Sequence, residues 1–230
     1  MNTPLLQVSA IILAGGKSRR MGRDKAFLEF DGRLLIERVI ERVHMVSNDV
    51  IIVCNDVDAY ARFGERIVTD RIPGKGSLGG LYSGLLAARE EYVFAVACDM
   101  PFVNQDLVRY MISLATQYDV VIPHAHDPSG RKRQDKKFMS DHPMAKEKDL
   151  HPMHAIYSKR CLSIIAERLQ TDDLRLIGFL PDARTRIVEA EEIDRFDPRH
   201  LSFFNANTPE DYALARSLRG TDMNIPGFSE

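Results

Sequence analysis

The sequence predicts an α/β protein in which helices cover both faces of a mostly parallel sheet. Short apolar runs rich in β-branched residues alternate with segments of helical periodicity through the first half of the 230-residue chain. The spacing between successive strands leaves room for a helical crossover, which favours parallel pairing. A composition with 28% charged residues and a net charge of −2 is typical of a globular domain, and it argues against nucleic acid or a membrane surface as a partner.

Five strands are predicted in the first half of the chain, at residues 8–13, 50–53, 66–69, 92–97 and 119–122. Helices are predicted at residues 34–46, 58–63 and 105–115, together with one that follows a glycine-rich loop at 73–80 and runs to residue 88. Beyond residue 150 we expect a helix over 159–169, a strand over 186–190 and a helix over 208–218. Thr208 is the expected N-cap of that last helix, with Pro209 as its first residue.

Residues 1–219 are expected to form one domain, and residues 220–230 a frayed C-terminal tail. The interval 124–150 interrupts the pattern, because it combines many charged residues with almost no apolar periodicity. We interpret it as a long exposed loop or insertion. Three histidines fall in this interval, His124, His126 and His142, and a less favoured alternative is a metal site on the His-x-His-Asp stretch at residues 124–127.

The cysteines Cys54, Cys98 and Cys161 are odd in number and widely spaced, which argues against a disulfide framework. We expect buried, unpaired thiols and a reducing compartment. The N-terminus lacks the basic residues of a signal peptide, and no apolar run approaches the ~20 residues of a membrane span. Together these features predict a cytoplasmic protein.

The most informative stretch follows the first predicted strand. After an apolar run come two glycines, Gly15 and Gly16, and then five basic residues: Lys17, Arg19, Arg20, Arg23 and Lys25. Glycines let backbone N–H groups come close to an anion, and the cations neutralise its charge. Two familiar phosphate fingerprints, the P-loop and the Gly-x-Gly-x-x-Gly turn, are absent. We therefore predict a phosphate-binding loop of another kind.

Polar residues also follow the next three predicted strands: Asn55, Asp70 and Asp99. In an open parallel sheet, ligands bind at the carboxyl ends of the strands, so these side chains are expected to meet the basic loop in one crevice. Mg²⁺ in proteins is held by one or two carboxylates, with water and phosphate oxygens completing its shell. We interpret the set as a joint site for Mg²⁺ and a polyphosphate.

The second glycine-rich loop, residues 73–80, is expected to approach the ligand closely. Gly79 and Gly80 stand just before a predicted helix, where backbone groups could contact a base edge. A plain flexible connector is the alternative.

Four blocks of the sequence resemble the molybdenum cofactor guanylyltransferase family, in the family's order and over residues 8–215. They are residues 13–26 (Leu-Ala-Gly-Gly through Asp-Lys-Ala), 98–102 (Cys-Asp-Met-Pro-Phe), 151–155 (His-Pro-x-His-Ala) and 204–209 (Phe-Asn-Ala-Asn-Thr-Pro). The resemblance implies a Rossmann-like nucleotidyltransferase fold. It also implies transfer of GMP from Mg-GTP to the terminal phosphate of molybdopterin carrying molybdenum, with release of pyrophosphate. This chain departs from the family in the long charged interval before the His-Pro block, where the family's link is usually short.

The resemblance further implies roles for individual residues. Arg19, Lys25 and Asp99 form the catalytic set, in which Arg19 stabilises charge on the phosphates, Asp99 binds Mg²⁺, and Asp70 helps to fix the guanosine. Four residues are assigned to acceptor binding: His151, His154, Asn205 and Asn207. For the two histidines, packing at a strand edge is the alternative. Nucleotide contacts fall on Leu13, Ala14, Gly15, Gly16, Lys25, Asn55, Asp70, Leu78, Gly79 and Asp99.

Other functions stay open at the level of sequence. A cytidylyltransferase acting on the same molybdenum cofactor would share the fold and chemistry, but that group tends to have Leu-Ala-Ala-Gly where this chain has Leu-Ala-Gly-Gly. A GTP-binding adaptor that delivers the cofactor would use the 124–150 interval for docking. As an enzyme, the protein would bind GTP and molybdenum-molybdopterin and make transient contacts with cofactor insertion proteins or molybdoenzymes.

Overall fold

The computed structural model of the chain describes residues 6–14, 25–30, 32–126, 128, 149–171, 173–206, 208 and 211–215. Outside these ranges lie the predictions for Gly15, Gly16, Arg19 and Asn207, for most of the 124–150 interval, and for the tail at 220–230. The other predicted site residues are within the described part.

The predicted elements agree with the observed bounds to within two residues, with two exceptions. The helix predicted at 58–63 ends at Tyr60 and continues as a 3₁₀ turn over Ala61–Phe63, and the third helix begins earlier than predicted. The strands are β1 (Val8–Leu13), β2 (Glu29–Phe30), β3 (Arg33–Leu34), β4 (Asp49–Val53), β5 (Arg66–Val68), β6 (Tyr92–Ala97), β7 (Val120–Pro123), β8 (His154–Ser158) and β9 (Thr185–Val188). The α-helices are α1 (Leu35–His44), α2 (Val57–Tyr60), α3 (Gly76–Ala87), α4 (Gln105–Leu114), α5 (Cys161–Leu169) and α6 (Ala190–Ile193). Residues 211–215 are also helical.

Seven of the described strands form one sheet in the order β5-β4-β1-β6-β8-β7-β9. Its neighbouring strands are parallel, except that β8 runs antiparallel to both β6 and β7. The prediction of a mostly parallel sheet is therefore confirmed, and β8 is an addition that the sequence pattern does not predict. Its five residues, His-Ala-Ile-Tyr-Ser, are all buried, yet they show neither a β-branched run nor an alternation with exposed polar residues.

Helices cover both faces of the sheet, as predicted. On one face, α1 and α4 pack against side chains of β1, β4 and β6. On the other face, α3 and α5 pack against the alternate side chains of the same strands. Neighbours along β1 show this division, because Ile12 belongs to the first core and Ile11 to the second, and both are fully buried.

The helix α3 begins at Gly76, so the loop predicted at 73–80 is wrong in its second half. Two of its glycines let the helix lie very close to the sheet. A Cβ atom on Gly80 would stand 2.5 Å from Leu13 Cδ2, and one on Gly84 would stand 2.8 Å from Ile11 Cδ1. This close approach brings the first turn of α3 to the end of β1.

The two ends of the 124–150 interval are ordered and lie side by side, which corrects the prediction of an exposed loop for its whole length. His124 and Leu150 form an antiparallel bridge. Beside it, the Ala125 N–H donates a hydrogen bond to the Asp149 carbonyl oxygen at 2.9 Å. The chain therefore enters and leaves this interval at neighbouring points.

The two described histidines at the ends of this interval contact carboxylates. His124 Nδ1 lies 2.8 Å from Glu189 Oε2, and His126 Nδ1 lies 3.2 Å from Asp149 Oδ2. Among the described residues, no group of three or more His, Cys, Asp or Glu side chains could hold a metal ion. The alternative of a His-x-His-Asp metal site therefore has no support from His124 and His126, and both Asp127 and His142 lie outside the described residues.

Two further features can be compared with the sequence analysis. The cysteines Cys54, Cys98 and Cys161 are buried and unpaired, as predicted. In the part of the chain that the structure describes, no helix has the length and apolar character needed to cross a membrane.

Asp119 joins the last strands of the sheet through two arginines. Its carboxylate accepts hydrogen bonds from Arg184 Nε (3.1 Å), from Arg160 Nε (2.6 Å) and from the Arg184 backbone N–H (3.1 Å). These bonds, those from Arg184 foremost, hold the pKa of Asp119 well below its ordinary value. The folded chain therefore binds a proton at Asp119 less readily than the unfolded chain does.

We expect Asp119→Asn to lower the melting temperature at pH 7 by about 5 °C, because the ion pairs are lost. A depressed folded-state pKa contributes stability above the unfolded pKa of about 3.9, and this contribution is lost as the pH falls toward the folded-state pKa. Thermal melts should therefore show the gap between wild type and variant narrowing from about pH 5 to pH 3. Asp106→Asn, which changes an exposed carboxylate on α4, is the matched control. A difference in melting temperature between wild type and Asp119→Asn that does not change with pH would contradict the ion-pair role of Asp119.

Candidate active site

Four neighbouring strands end at one edge of the sheet, and each is followed by a residue that the sequence predicts to bind ligand. Asp70 follows β5, Asn55 follows β4, Ala14 follows β1 and Asp99 follows β6. The strands lie side by side in this order. The predicted residues therefore meet at one edge, as expected for the carboxyl ends of parallel strands.

Backbone hydrogen bonds fix the end of β1, where the basic loop begins. The Ala14 N–H donates to the Val53 carbonyl oxygen at 2.9 Å, and the Cys98 N–H donates to the Leu13 carbonyl oxygen at 3.1 Å. Ala14 is buried and Leu13 is half-buried. The two residues before the glycine pair are thus held between β4 and β6, at the centre of the edge.

Asn55 and Asp70 form a pair at one end of this edge. Asn55 Nδ2 donates to Asp70 Oδ2, and the Asp70 N–H donates to Asn55 Oδ1, both at 3.4 Å. The other carboxylate oxygen of Asp70 lies 3.6 Å from the position of a Cβ atom on Gly80. An amide and a carboxylate are therefore held together near the first turns of α3, where they can exchange hydrogen bonds with a base.

Leu78 and Gly79 lie in the first turn of α3 and are buried. The Leu78 side chain belongs to the core between α3 and the sheet, and the Gly79 N–H donates to the Lys75 carbonyl oxygen at 3.2 Å. A nucleotide contact from Leu78 would therefore use its backbone. For both residues the contact stays a prediction.

Asp99 stands at the other end of the edge. Burial raises the pKa of its carboxyl; the positive charge of Lys25 opposes this effect, and the negative charge of Asp211 adds to it. Protein atoms surround most of the side chain, although the residue keeps some contact with solvent. A carboxylate in this setting is stabilised by a cation bound on its open side.

Lys25 begins the short 3₁₀ turn Lys25–Phe27, directly after the basic loop. Its charge acts on Asp99, so this turn and the end of β6 face each other. The structure therefore brings together two of the three predicted catalytic residues. The third, Arg19, lies outside the described residues.

Asn205 lies in a late segment of the chain that closes the Asp99 end of the site. The N–H of the next residue, Ala206, donates to the Asp99 carbonyl oxygen at 2.9 Å. The Asn205 amide nitrogen Nδ2 donates to the Phe203 carbonyl oxygen at 3.0 Å. The predicted acceptor residue Asn205 is thus held beside Asp99, whereas Asn207 lies outside the described residues.

The same segment also brings Asp211 to this end of the site. Thr208 caps the helical residues 211–215, as predicted, because its Oγ1 accepts a hydrogen bond from the Asp211 N–H at 3.2 Å. In return, Asp211 Oδ2 accepts one from the Thr208 N–H at 2.8 Å. Asp211 is 2% exposed, and its negative charge reaches Asp99. Two carboxylates therefore share the Asp99 end.

His151 and His154 are both buried, at 4% and 0% exposure. His151 Nε2 lies 2.8 Å from the Ala125 carbonyl oxygen, and its ring stacks on Phe203 with centroids 4.2 Å apart. Within the described part of the chain, neither ring nitrogen of His154 has a hydrogen-bond partner, and burial, aided by His151, lowers its pKa to about 3. These enclosed rings favour the packing alternative. The acceptor role of the two histidines is the part of the predicted site that the structure supports least.

The carboxylates of Asp70 and Asp99 belong to different parts of the site. Their strands, β5 and β6, are separated by β4 and β1. Three strand spacings amount to about 14 Å, which is too far for one metal ion to take both carboxylates. The joint site for Mg²⁺ and a polyphosphate stays a prediction, with Mg²⁺ at Asp99 alone. An extended ligand, with a base at one end and phosphates at the other, fits this edge.

Sequence reasoning placed neither Asp211 nor the neighbouring Tyr212 near Asp99. Both belong to a helical segment whose capping pattern explains Asp211 without any ligand. Nothing in the spacing along the chain indicates that this segment lies against the loop after β6. The Asn-x-Asn-Thr-Pro block at 205–209 was the available signal, since it is already assigned to the acceptor side.

A mostly parallel sheet with a carboxylate and a lysine at one end of this edge, and an amide–carboxylate pair at the other, suits a nucleotidyltransferase. Residues 10–182 match the MobA-like NTP transferase domain, and the chain belongs to this family. The predicted class of enzyme is thereby confirmed.

Individual relatives cover nearly the whole chain. The probable molybdenum cofactor guanylyltransferase of Pelotomaculum thermopropionicum is 36% identical over 214 residues, which make up 93% of this chain and 94% of the relative. The molybdenum cofactor guanylyltransferase of Desulfosudis oleivorans is 34% identical, over 91% of this chain and 95% of its own. Among solved structures, molybdopterin-guanine dinucleotide biosynthesis protein A from Archaeoglobus fulgidus aligns with a TM-score of 0.73 at 22% identity, over 93% of this chain and 99% of its own. The last likeness confirms the fold.

Proposed function

We propose that the protein transfers GMP from GTP to the terminal phosphate of molybdopterin carrying molybdenum and releases pyrophosphate. The names of the relatives support this reaction. The observation that carries the proposal is the placement of Asp99 opposite Lys25 at one end of an edge whose other end holds the Asn55–Asp70 pair. The acceptor phosphate is already an anion at neutral pH, so it needs neither a strong general base nor a covalent enzyme intermediate.

The Asn55–Asp70 end would hold the guanine. The Watson–Crick edge of guanine carries two adjacent N–H donors, from N1 and N2, and a carboxylate can accept both. Cytosine has a single amino group on that edge, beside an acceptor nitrogen. The carboxylate of Asp70 therefore favours guanine, and the hydrogen bond from Asn55 keeps it in position.

The Asp99 end would hold the phosphates. Its residues fit Mg²⁺, because Asp99 offers a hard oxygen ligand in a pocket that disfavours an unpaired negative charge. When bound, Mg²⁺ neutralises charge on the triphosphate. Lys25 would contact phosphate oxygens and help to hold the α-phosphorus in line with the acceptor. The rate enhancement then comes from positioning and charge neutralisation.

The acceptor would approach from the side of Asn205, which is held beside Asp99, and we retain Asn207 as a second contact. The product must pass to an apoprotein, so transient contacts with cofactor insertion proteins or molybdoenzymes belong to the proposal. A cytoplasmic location also belongs to it, and the three unpaired cysteines support a reducing compartment.

Pyrophosphate release tests the proposal. The protein is mixed with Mg²⁺ and a molybdopterin-bearing acceptor, and GTP is compared with CTP at equal concentration, with a control that omits the acceptor. We expect release with GTP that depends on the acceptor, and little or none with CTP. Release with CTP alone would assign the protein to cytidylyl transfer. Tight GTP binding without release would favour the cofactor-delivery adaptor.

A further inference from the structure

The hydroxyl of Tyr212 is a buried polar group that has no partner among the residues that the structure describes. Its oxygen is removed from solvent and makes no hydrogen bond with them. Two other tyrosines are satisfied: Tyr157 donates to the Pro152 carbonyl oxygen at 2.7 Å, and Tyr110 donates to the carboxylate of Glu192. Because buried hydroxyls in proteins are nearly always hydrogen-bonded, an unpaired one indicates a partner that binds there.

This hydroxyl lies at the Asp99 end of the site. The ring of Tyr212 packs with Phe30, Phe204 and Ala206 in a small third core, and the Ala206 N–H is bonded to the Asp99 carbonyl oxygen. Burial raises the pKa of Tyr212, and the negative charge of Asp99 contributes to the increase, so the two side chains are close. The packed ring therefore fixes the hydroxyl beside Asp99 without any hydrogen bond of its own.

The charges around the hydroxyl indicate the chemistry of the missing partner. Asp99 and Asp211 both place negative charge near it. A tyrosine hydroxyl in such surroundings can serve as a hydrogen-bond donor. A bare anion would be repelled by two carboxylates. An anion that arrives with a divalent cation is not repelled, because the cation pairs with the carboxylates while an oxygen of the anion accepts from the hydroxyl. A metal-bound phosphate supplies both the cation and the accepting oxygen.

We propose that Tyr212 is a further substrate-contacting residue, whose hydroxyl donates a hydrogen bond to a phosphate oxygen of the substrate held at Asp99. The inference rests on the proposed function and extends it to a side chain on the late helical segment. The phosphate belongs either to the nucleotide or to the acceptor, which offer the same chemistry to the hydroxyl.

Tyr212→Phe tests this inference because it removes the hydroxyl and keeps the packed ring. Binding of Mg²⁺–GTP and of the molybdopterin acceptor is measured separately by calorimetric titration, and the ligand-free proteins are compared by thermal melts. We expect the ligand-free variant to be at least as stable as the wild type, since it loses an unpaired buried group. We expect its affinity for one of the two ligands to fall about tenfold. A loss for GTP assigns the hydroxyl to the triphosphate, and a loss for the acceptor assigns it to the acceptor phosphate.

Tyr110→Phe is the matched control, because its hydroxyl bonds to Glu192. This variant should melt at a lower temperature and bind both ligands as the wild type does. Unchanged affinity of Tyr212→Phe for both ligands would overturn the inference, as would a loss of ligand-free stability like that of Tyr110→Phe. A wild-type protein that binds the acceptor but not GTP would contradict the proposed function, and the acceptor titration would still decide the role of Tyr212.

Discussion

Replacement of Asp99 by asparagine is expected to reduce pyrophosphate release by about 10³-fold or more while the protein stays folded. Asparagine keeps the shape of the side chain but removes the negative charge that a cation requires there. Folding should not suffer, because burial raises the pKa of Asp99 and so places its charged form at a disadvantage that asparagine does not share. Turnover with GTP and acceptor at saturating Mg²⁺ measures the first effect, and thermal melts measure the second.

The matched control for this variant is Asp106→Asn, which makes the same chemical change at an exposed position on α4. Its turnover should equal that of the wild type. If Asp99→Asn turned over normally, the assignment of Asp99 as the metal-binding residue would be wrong. A large drop in melting temperature for Asp99→Asn would instead indicate a structural role.

Gly84→Val is expected to reduce the free energy of unfolding by about 3 kcal/mol. A Cβ atom at this position would lie 2.8 Å from Ile11 Cδ1, 2.9 Å from its Cγ2 and 3.2 Å from its Cβ. Ile11 is fully buried at the centre of the sheet, and its branched side chain has little freedom to move aside. The helix α3 must therefore shift away from β1. Denaturant unfolding measures this change in the free energy of unfolding, and Gly80→Ala is the comparison variant.

Gly80→Ala should leave the free energy of unfolding nearly unchanged. Alanine favours the helix by about 1 kcal/mol over glycine, and this gain offsets the displacement of the flexible end of Leu13, which a Cβ atom would meet at 2.5 Å. The same displacement disturbs the start of the first loop, so GTP affinity should fall. A Gly84→Val variant as stable as the wild type would contradict the close packing of α3 against β1.

The first half of the fold could be predicted because its signals are local. The strands β1, β4 and β6 are apolar runs that are buried on both faces, and α1 has an apolar stripe beside charged residues. The strand β8 could not be found in this way. Its His-Ala-Ile-Tyr-Ser sequence becomes a central strand only because β6 and β7 flank it, which is a long-range effect.

The candidate site shows the same difference between local signals and long-range effects. Asn55, Asp70 and Asp99 could be predicted because each follows a recognisable strand, and strand ends in a parallel sheet meet at one edge. The distance between Asp70 and Asp99 could not, since it depends on the order of strands across the sheet. The contribution of Tyr212 also escaped the sequence, because the contact between its helical segment and the loop after β6 is a tertiary one.

The position of β8 sets the order in which the sheet can be completed as the chain leaves the ribosome. The strand β6 ends at Ala97, but the neighbour that pairs with its free side begins only at His154. Until then a nascent chain presents unpaired N–H and C=O groups along β6, and β7 has no connection to the rest of the sheet. The half built on β1, β4, β5 and β6 can therefore form early, whereas the half that contains β7, β8 and β9 joins it late, through β8 alone.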